Sequence, residues 1–133
     1  MTGNTIALDT SEAIAILNNR GDERSWIGSF EMIFLPTPVV GELLYGAANS
    51  NRVAENTSRF EAFIEGCRVL EISKETARIY ALVRIALKQA GTPLPENDVW
   101  IAASCIQHQL SLATIDSHFQ KVPGLVIEWR ASP

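Results

Sequence analysis

The sequence predicts an α/β fold in which a short central parallel sheet is covered on both faces by helices. Three observations carry that expectation. Short apolar runs of strand length, such as Ile6–Leu8 and Met32–Leu35, alternate with longer stretches of helical periodicity. Most of these runs lack a polar alternate face, as strands covered on both sides do. Acidic residues, Asp9 and Asp116, follow two of the runs, at the carboxyl edge where such sheets collect ligands. The 133 residues are enough for one domain with a real core, here taken as residues 1–133.

The elements follow in order. Ile6-Ala7-Leu8 reads as a buried strand, and Asp9 with Glu12 three residues on resembles a capping box that opens a helix over about Ser11–Asn19. Gly21-Asp22 breaks that helix, and a short second one carries Trp26, Ile27 and Phe30. Met32–Leu35 is the next strand. Thr37 and Pro38 are expected as N-cap and first residue of a helix covering roughly Val39–Ala48. Val53–Glu65 is helical until Gly66, and Arg68–Ile72 alternates like a strand. Ser73 caps the longest helix, Thr76 to Gln89, which Gly91 ends. Two prolines, Pro93 and Pro95, hold an extended approach to a further helix beginning near Asp98 and rich in apolar residues. Ser111–Asp116 and Val126–Trp129 are the last strands.

Composition excludes several classes. With 47% hydrophobic and 20% charged residues, the chain is too apolar for disorder. A net charge of −4 and a pI near 5.1 lack the basic excess of a non-specific nucleic-acid binder, so any such surface must be local or supplied by oligomerisation and metal. Cys67 and Cys105 show no metal-ligand spacing and read as reduced thiols of a cytoplasmic protein. No signal sequence and no apolar stretch of membrane-spanning length is expected.

Four acids stand out. Asp9 and Asp116 end strands, and Asp98 heads the helix that leads into the Asp116 strand, so all three should reach the same edge. Glu42 lies within Pro38-Val39-Val40-Gly41-Glu42-Leu43-Leu44-Tyr45-Gly46, with no lysine or arginine three or four residues away. Carboxylates gathered without cations repel one another by several kcal/mol at roughly contact range. A hard divalent cation resolves that repulsion, and carboxylate and water ligands favour Mg2+ or Mn2+ over zinc. The plainer alternatives are that Asn97 or Asp98 caps its helix and that Glu42 is a solvated surface acid. Glu96 is expected in solvent, and His108 and His118 as surface or structural residues. There is no glycine-rich phosphate loop.

Together these segments resemble the PIN-domain ribonucleases, and within them the VapC-type toxins of bacterial toxin–antitoxin pairs. The resemblance rests on Asp9 after the first strand, on the Glu42 segment, on Pro95-Glu96-Asn97-Asp98 with Ile101-Ala102-Ala103, and on Leu112-Ala113-Thr114-Ile115-Asp116-Ser117-His118-Phe119 followed by Val122-Pro123-Gly124-Leu125. It spans nearly the whole chain. It implies a Mg2+- or Mn2+-dependent endoribonuclease, a homodimer, and a cognate antitoxin whose tail blocks the groove. Asp9, Glu42, Asp98 and Asp116 would then be the metal or metal-water ligands. Thr10, Ser11 and Thr114 would be hydroxyls that orient the carboxylates, or simply strand-end and turn hydrogen-bonders. Asp98 or Asp116 would orient or deprotonate the attacking water. Ile115 stands where relatives often carry a basic residue.

Other classes remain open on the sequence: a PIN-type RNA-processing nuclease with no toxin role, and a catalytically silent binding domain. A phosphoacceptor reading of Asp9 lacks the second acid and a well-placed lysine. The resemblance implies a structured RNA, with transfer and ribosomal RNA loops both compatible with it. Dimerisation and antitoxin docking are expected to use apolar surface on the Val39–Ala48 and Val53–Ile64 helices, with Leu44, Tyr45, Phe60 and Phe63, and on the long helix, with Tyr80, Val83 and Leu87.

Overall fold

The structure, a computed structural model, describes residues 4–18 and 27–129. Its elements in chain order are β1 (Thr5–Leu8), α1 (Thr10–Leu17), β2 (Met32–Pro36), α2 (Thr37–Ala48), α3 (Val53–Glu65), β3 (Arg68–Leu70), α4 (Lys74–Gln89), α5 (Glu96–Gln107), β4 (Leu112–Ala113), a 3-10 turn (Ser117–Lys121) and β5 (Ile127–Glu128). The Gly21-Asp22 break and Trp26 of the expected second helix lie outside the described residues; Ile27 and Phe30 pack against the core.

Among the described residues the strands form one parallel sheet in the order β3-β2-β1-β4-β5. The chain grows from β1 to one side through β2 and β3, then crosses to the other side with β4 and β5. The strand order therefore switches direction at β1, and the crevice beyond its carboxyl end is where doubly wound sheets bind ligands. Ile6, Ala7, Leu8, Leu112 and Ala113 have no exposed surface. Consecutive strand residues point to opposite faces, so their uniform burial means that helices cover both. Helix α5 presents Val99, Ile101, Ala102, Ala103 and Cys105, all buried, as a helix apolar nearly all round must be.

Local chemistry sets the helix ends. Ser73 and Thr76 exchange side-chain and backbone hydrogen bonds across the start of α4, with Thr76 taking the place of the usual Glu or Gln. At its far end Gly91 adopts φ 73°, Gly91 N donates to Lys88 O and Thr92 N to Leu87 O, the paired bonds of a Schellman ending.

Several expectations shift. Thr37 is the first helical residue of α2, not its cap; β2 runs on through Pro36, and the Thr37 hydroxyl donates instead to Leu70 O across the sheet at 2.8 Å. The strand expected to reach Asp116 leaves the ladder after Ala113, because the Thr114 hydroxyl accepts from Asp116 N at 2.9 Å and closes a turn. The 3-10 turn after Asp116 was not anticipated. On α4, Val83 and Leu87 face the core; the apolar side chains it exposes are Leu82 and Ile85.

Candidate active site

Strand register brings the first pair of site residues together. Leu8 pairs with Ala113, so the next residues along, Asp9 and Thr114, lie side by side at the carboxyl edge. Asp9 N donates to Ala113 O at 3.3 Å, and the Thr114 hydroxyl donates to Asp9 Oδ2 at 2.5 Å. Asp9 Oδ1 accepts from Glu12 N at 2.9 Å, so the carboxylate also caps α1. Asp9 is only 5% exposed. Burial pushes its carboxyl up to about 6, against the opposing pull of the Thr114 and Glu12 hydrogen bonds; the charges of Glu12 and Asp98 push the same way as burial.

Helix α2 begins where β2 leaves the sheet, which sets Glu42 beside the same edge. Its Oε1 accepts from the Thr10 hydroxyl at the start of α1, and its Oε2 accepts from Asn97 Nδ2 at 3.2 Å. Neither Asn97 nor Asp98 caps α5; the cap position is Pro95. Asn97 instead ties α5 to α2, and Asp98 stands in the first turn of α5 with no side-chain hydrogen bond among the described residues. Burial raises the Asp98 carboxyl above the usual range, and the charges of Asp116 and Glu42 raise it further, with His118 pulling it down. Asp116 is shifted the opposite way. It accepts at Oδ1 from His118 N at 2.9 Å and lies 2.8 Å from the His118 ring Nδ1, and these contacts hold its carboxyl low.

The four acids therefore share one edge, where Asp98 feels the charges of Asp116 and Glu42 and Asp9 feels that of Asp98, and among the described residues no lysine or arginine pairs with any of them. They do not close into a cage: among the described residues no three His, Cys, Asp or Glu side chains are arranged to hold an ion. Mutual repulsion keeps carboxylates apart when nothing cationic lies between them. The chemistry of the donors still suits a hard cation. All four are oxygen ligands, and Mg2+ is usually held by one or two carboxylates while it keeps several waters.

A family model described as PIN domain matches residues 6–125. The chain belongs to the PIN-domain family. It is 27% identical over 128 residues to Ribonuclease VapC2 of Rickettsia felis, covering 91% of this chain and 94% of that protein. It is 29% identical to the tRNA(fMet)-specific endonuclease VapC of Salmonella typhimurium, again over 91% and 94%. Among solved structures, the DNA-bound VapBC of Salmonella typhimurium superposes with a TM-score of 0.87 at 25% identity, covering 96% of this chain and 98% of that one. The five-stranded parallel sheet with its flanking helices is thus that of PIN-domain VapC structures.

In this PIN domain two of the three hydroxyls singled out from sequence touch site acids: Thr10 bonds Glu42 and Thr114 bonds Asp9. Ser11 is exposed and bonds none of the four among the described residues. Glu96 opens α5 with its side chain 66% exposed, facing Arg84 and accepting from the Tyr80 hydroxyl at 2.9 Å. His108 is exposed. Three residues escaped the sequence reading as site neighbours. Asn97 was weighed only as a cap, although its amide between Pro95 and Asp98 is the one neutral donor in that turn. His118 was placed at the surface, where it is, but its spacing of two from Asp116 is that of a side chain folded back on an Asx turn. Glu12 was read as half of a capping box, yet it is 1% exposed directly behind Asp9.

Proposed function

We propose that this PIN domain is the endoribonuclease toxin of a toxin–antitoxin pair, cleaving RNA phosphodiester bonds with Mg2+ or Mn2+. The reading rests on one observation above the rest: four carboxylates lie at the sheet's switch point with no lysine or arginine paired to any of them among the described residues, in a chain whose relatives, matched over nearly their whole length, are named ribonucleases and endonucleases.

Asp9, Glu42, Asp98 and Asp116 are the residues that would hold the cation. Bound there, it would neutralise the cluster, draw in the phosphodiester and lower the pKa of water beside the reacting phosphorus. The chain's own groups do the rest. Thr114 and Glu12 N fix both oxygens of Asp9, and Thr10 and Asn97 fix both oxygens of Glu42, so those two carboxylates are pre-set in orientation. Asp98 has no such tether and holds its proton more tightly than an ordinary aspartate, which suits it to take a proton from the attacking water. Asp116, its charge stabilised by His118, serves as a fixed anion.

The partner proposed is an antitoxin, since the solved VapBC structures are toxin–antitoxin assemblies. The RNA class follows the relative named for tRNA(fMet), a structured RNA whose loops expose unstacked bases. Homodimerisation, and action in the cytoplasm, complete the proposal; among the described residues no helix is long and apolar enough to cross a membrane. Exposed Leu82 and Ile85 on α4 and Val53 on α3 supply the apolar surface for association. Light scattering reads that directly, and a strictly monomeric species at tens of micromolar removes the dimer.

The deciding experiment incubates the purified chain with total tRNA and with ribosomal RNA. Cleavage should require Mg2+ or Mn2+, vanish in EDTA, and be abolished by Asp98→Asn with an unchanged circular dichroism spectrum. Undiminished cleavage by that variant, or full activity in chelator, refutes the assignment.

A further inference from the structure

A cleft of about 690 Å3 opens beside the acids between α2 and α5, a size common to small-molecule sites. Pro38, Gly41, Glu42 and Tyr45 line it from α2, Ile72 from the segment after β3, and Trp100 from α5. Glu42 belongs to both places: it is one of the four acids and part of the cleft wall. Anything whose phosphate lies at the acids must therefore set a neighbouring group over this part of α2.

Three features of the cleft are not explained by the fold. Tyr45, one helical turn beyond Glu42, is 70% exposed, and among the described residues its ring stacks on nothing and its hydroxyl bonds nothing. Trp100, which lines the cleft from α5, stacks on Tyr80, with ring centroids 3.9 Å apart and planes 16° from parallel. Gly41 sits inside α2 with no positive φ, and a Cβ built on it meets nothing within 4 Å. Glycine weakens a helix relative to alanine, and here neither backbone conformation nor a neighbouring atom calls for it. Its one structural effect is to leave the cleft floor open to close approach.

The lining includes no lysine or arginine, and its polar donors Thr37 and Asn97 are engaged by Leu70 O and Glu42, so no cation in it attracts a phosphate. Flat aromatic and apolar walls beside a phosphodiester-cleaving site instead match the neutral face of a base. Resting on the nuclease reading above, we propose that this cleft receives one unstacked nucleobase of the RNA, flanking the bond that is cut and stacked on the ring of Tyr45. Stacking on an exposed aromatic tolerates any base, so the cleft selects for single-stranded or loop RNA rather than for a sequence.

The test uses a short single-stranded oligoribonucleotide carrying one 2-aminopurine, whose fluorescence is quenched on stacking. With Mg2+ present, and Asp98→Asn in the background to prevent cutting, the chain should bind and quench it. Tyr45→Ala should weaken binding roughly tenfold, and Tyr45→Phe should bind within about twofold of the parent, because the ring is kept. Gly41→Leu should fill the cleft and reproduce the loss; Tyr45, being exposed, provides the variant that folds if the leucine does not. With Asp98 in place and Mg2+ or Mn2+ present, Tyr45→Ala should raise KM more than it lowers kcat. Variants that bind, quench and cleave as the parent does overturn the proposal and leave the nuclease reading intact. Variants that weaken only binding of a protein partner assign the cleft to that partner and likewise overturn it. A parent chain that quenches the probe in a Tyr45-dependent way yet cuts no RNA with either metal removes the nuclease reading and not the stacking site.

Discussion

Replacing Asp9 by Asn should make the metal-free protein more stable, and only above a particular pH. The folded chain holds the Asp9 carboxyl at about 6 against an ordinary 3.8, so between those values the folded state binds more proton than the unfolded one. Stability contributed by Asp9 is then fully present below 3.8 and is lost as the pH rises to 6. At roughly 1.4 kcal/mol for each pH unit between the two values, the ionised side chain costs about 3 kcal/mol at neutral pH. Asp9 is 5% exposed, so solvent screening takes little from that figure. Asn removes the charge and keeps an oxygen for the Glu12 N bond, as it is as good an N-cap as Asp. Its amide nitrogen cannot accept from the Thr114 hydroxyl as Oδ2 does, a loss of about 1 kcal/mol. The net expectation is a gain of about 1–2 kcal/mol at pH 8 and none, or a small loss, at pH 4. Urea titrations in EDTA at the two pH values measure it, with m compared to confirm that the unfolding surface is unchanged. Equal destabilisation at both pH values would show that the carboxylate is held by compensating bonds and that its burial carries no penalty, refuting the reasoning.

Two further outcomes follow from the same geometry. Cleavage that uses water as nucleophile leaves 5′-phosphate and 3′-hydroxyl ends, which adapter ligation maps; Ala at both His108 and His118 should lower the rate less than tenfold, below the usual worth of a general base, and cyclic phosphate termini would mean that a histidine mechanism operates. Thr114→Val should destabilise by about 1–3 kcal/mol, because Asp9 Oδ2 loses its partner in a buried place and Asp116 N in a half-buried one, and activity should fall with it; a fully active Val variant would show that the hydroxyl does not orient Asp9.

How much of this was legible follows from which interactions are local. The strand at Ile6–Leu8, the capped helix after it and the long α4 were readable because periodicity and caps act within a few residues. Asp9 could be assigned to the carboxyl edge because a strand followed at once by a helix start puts it there. Glu42 could be flagged because its helical neighbours offered no cation. The contacts that orient these acids were not legible. Asn97 and Glu42 are 55 residues apart and Thr114 and Asp9 are 105 apart; only the sheet register and the crossing of α2 by α5 make them neighbours. The expectation that Val83 and Leu87 lay on a docking surface failed for a related reason. On a helix with apolar residues on several sides, sequence cannot tell the face that meets α5 from the one left in solvent, and Leu82 and Ile85 took the second place.

Environment separates carboxylates that the sequence presents as alike. Asp9 is raised by burial, Asp98 by burial and by two neighbouring acids, and Asp116 is lowered by the 3-10 turn that delivers His118 N and its ring to one oxygen. Groups pushed apart in this way can take different parts in one reaction. The unanticipated 3-10 turn is therefore part of the site. By holding Asp116 ionised beside Asp98, it keeps a negative charge where it raises the proton affinity of the one acid left untethered. The tethered pair, Asp9 and Glu42, gives the edge its fixed geometry, and the untethered Asp98 gives it a group free to exchange a proton.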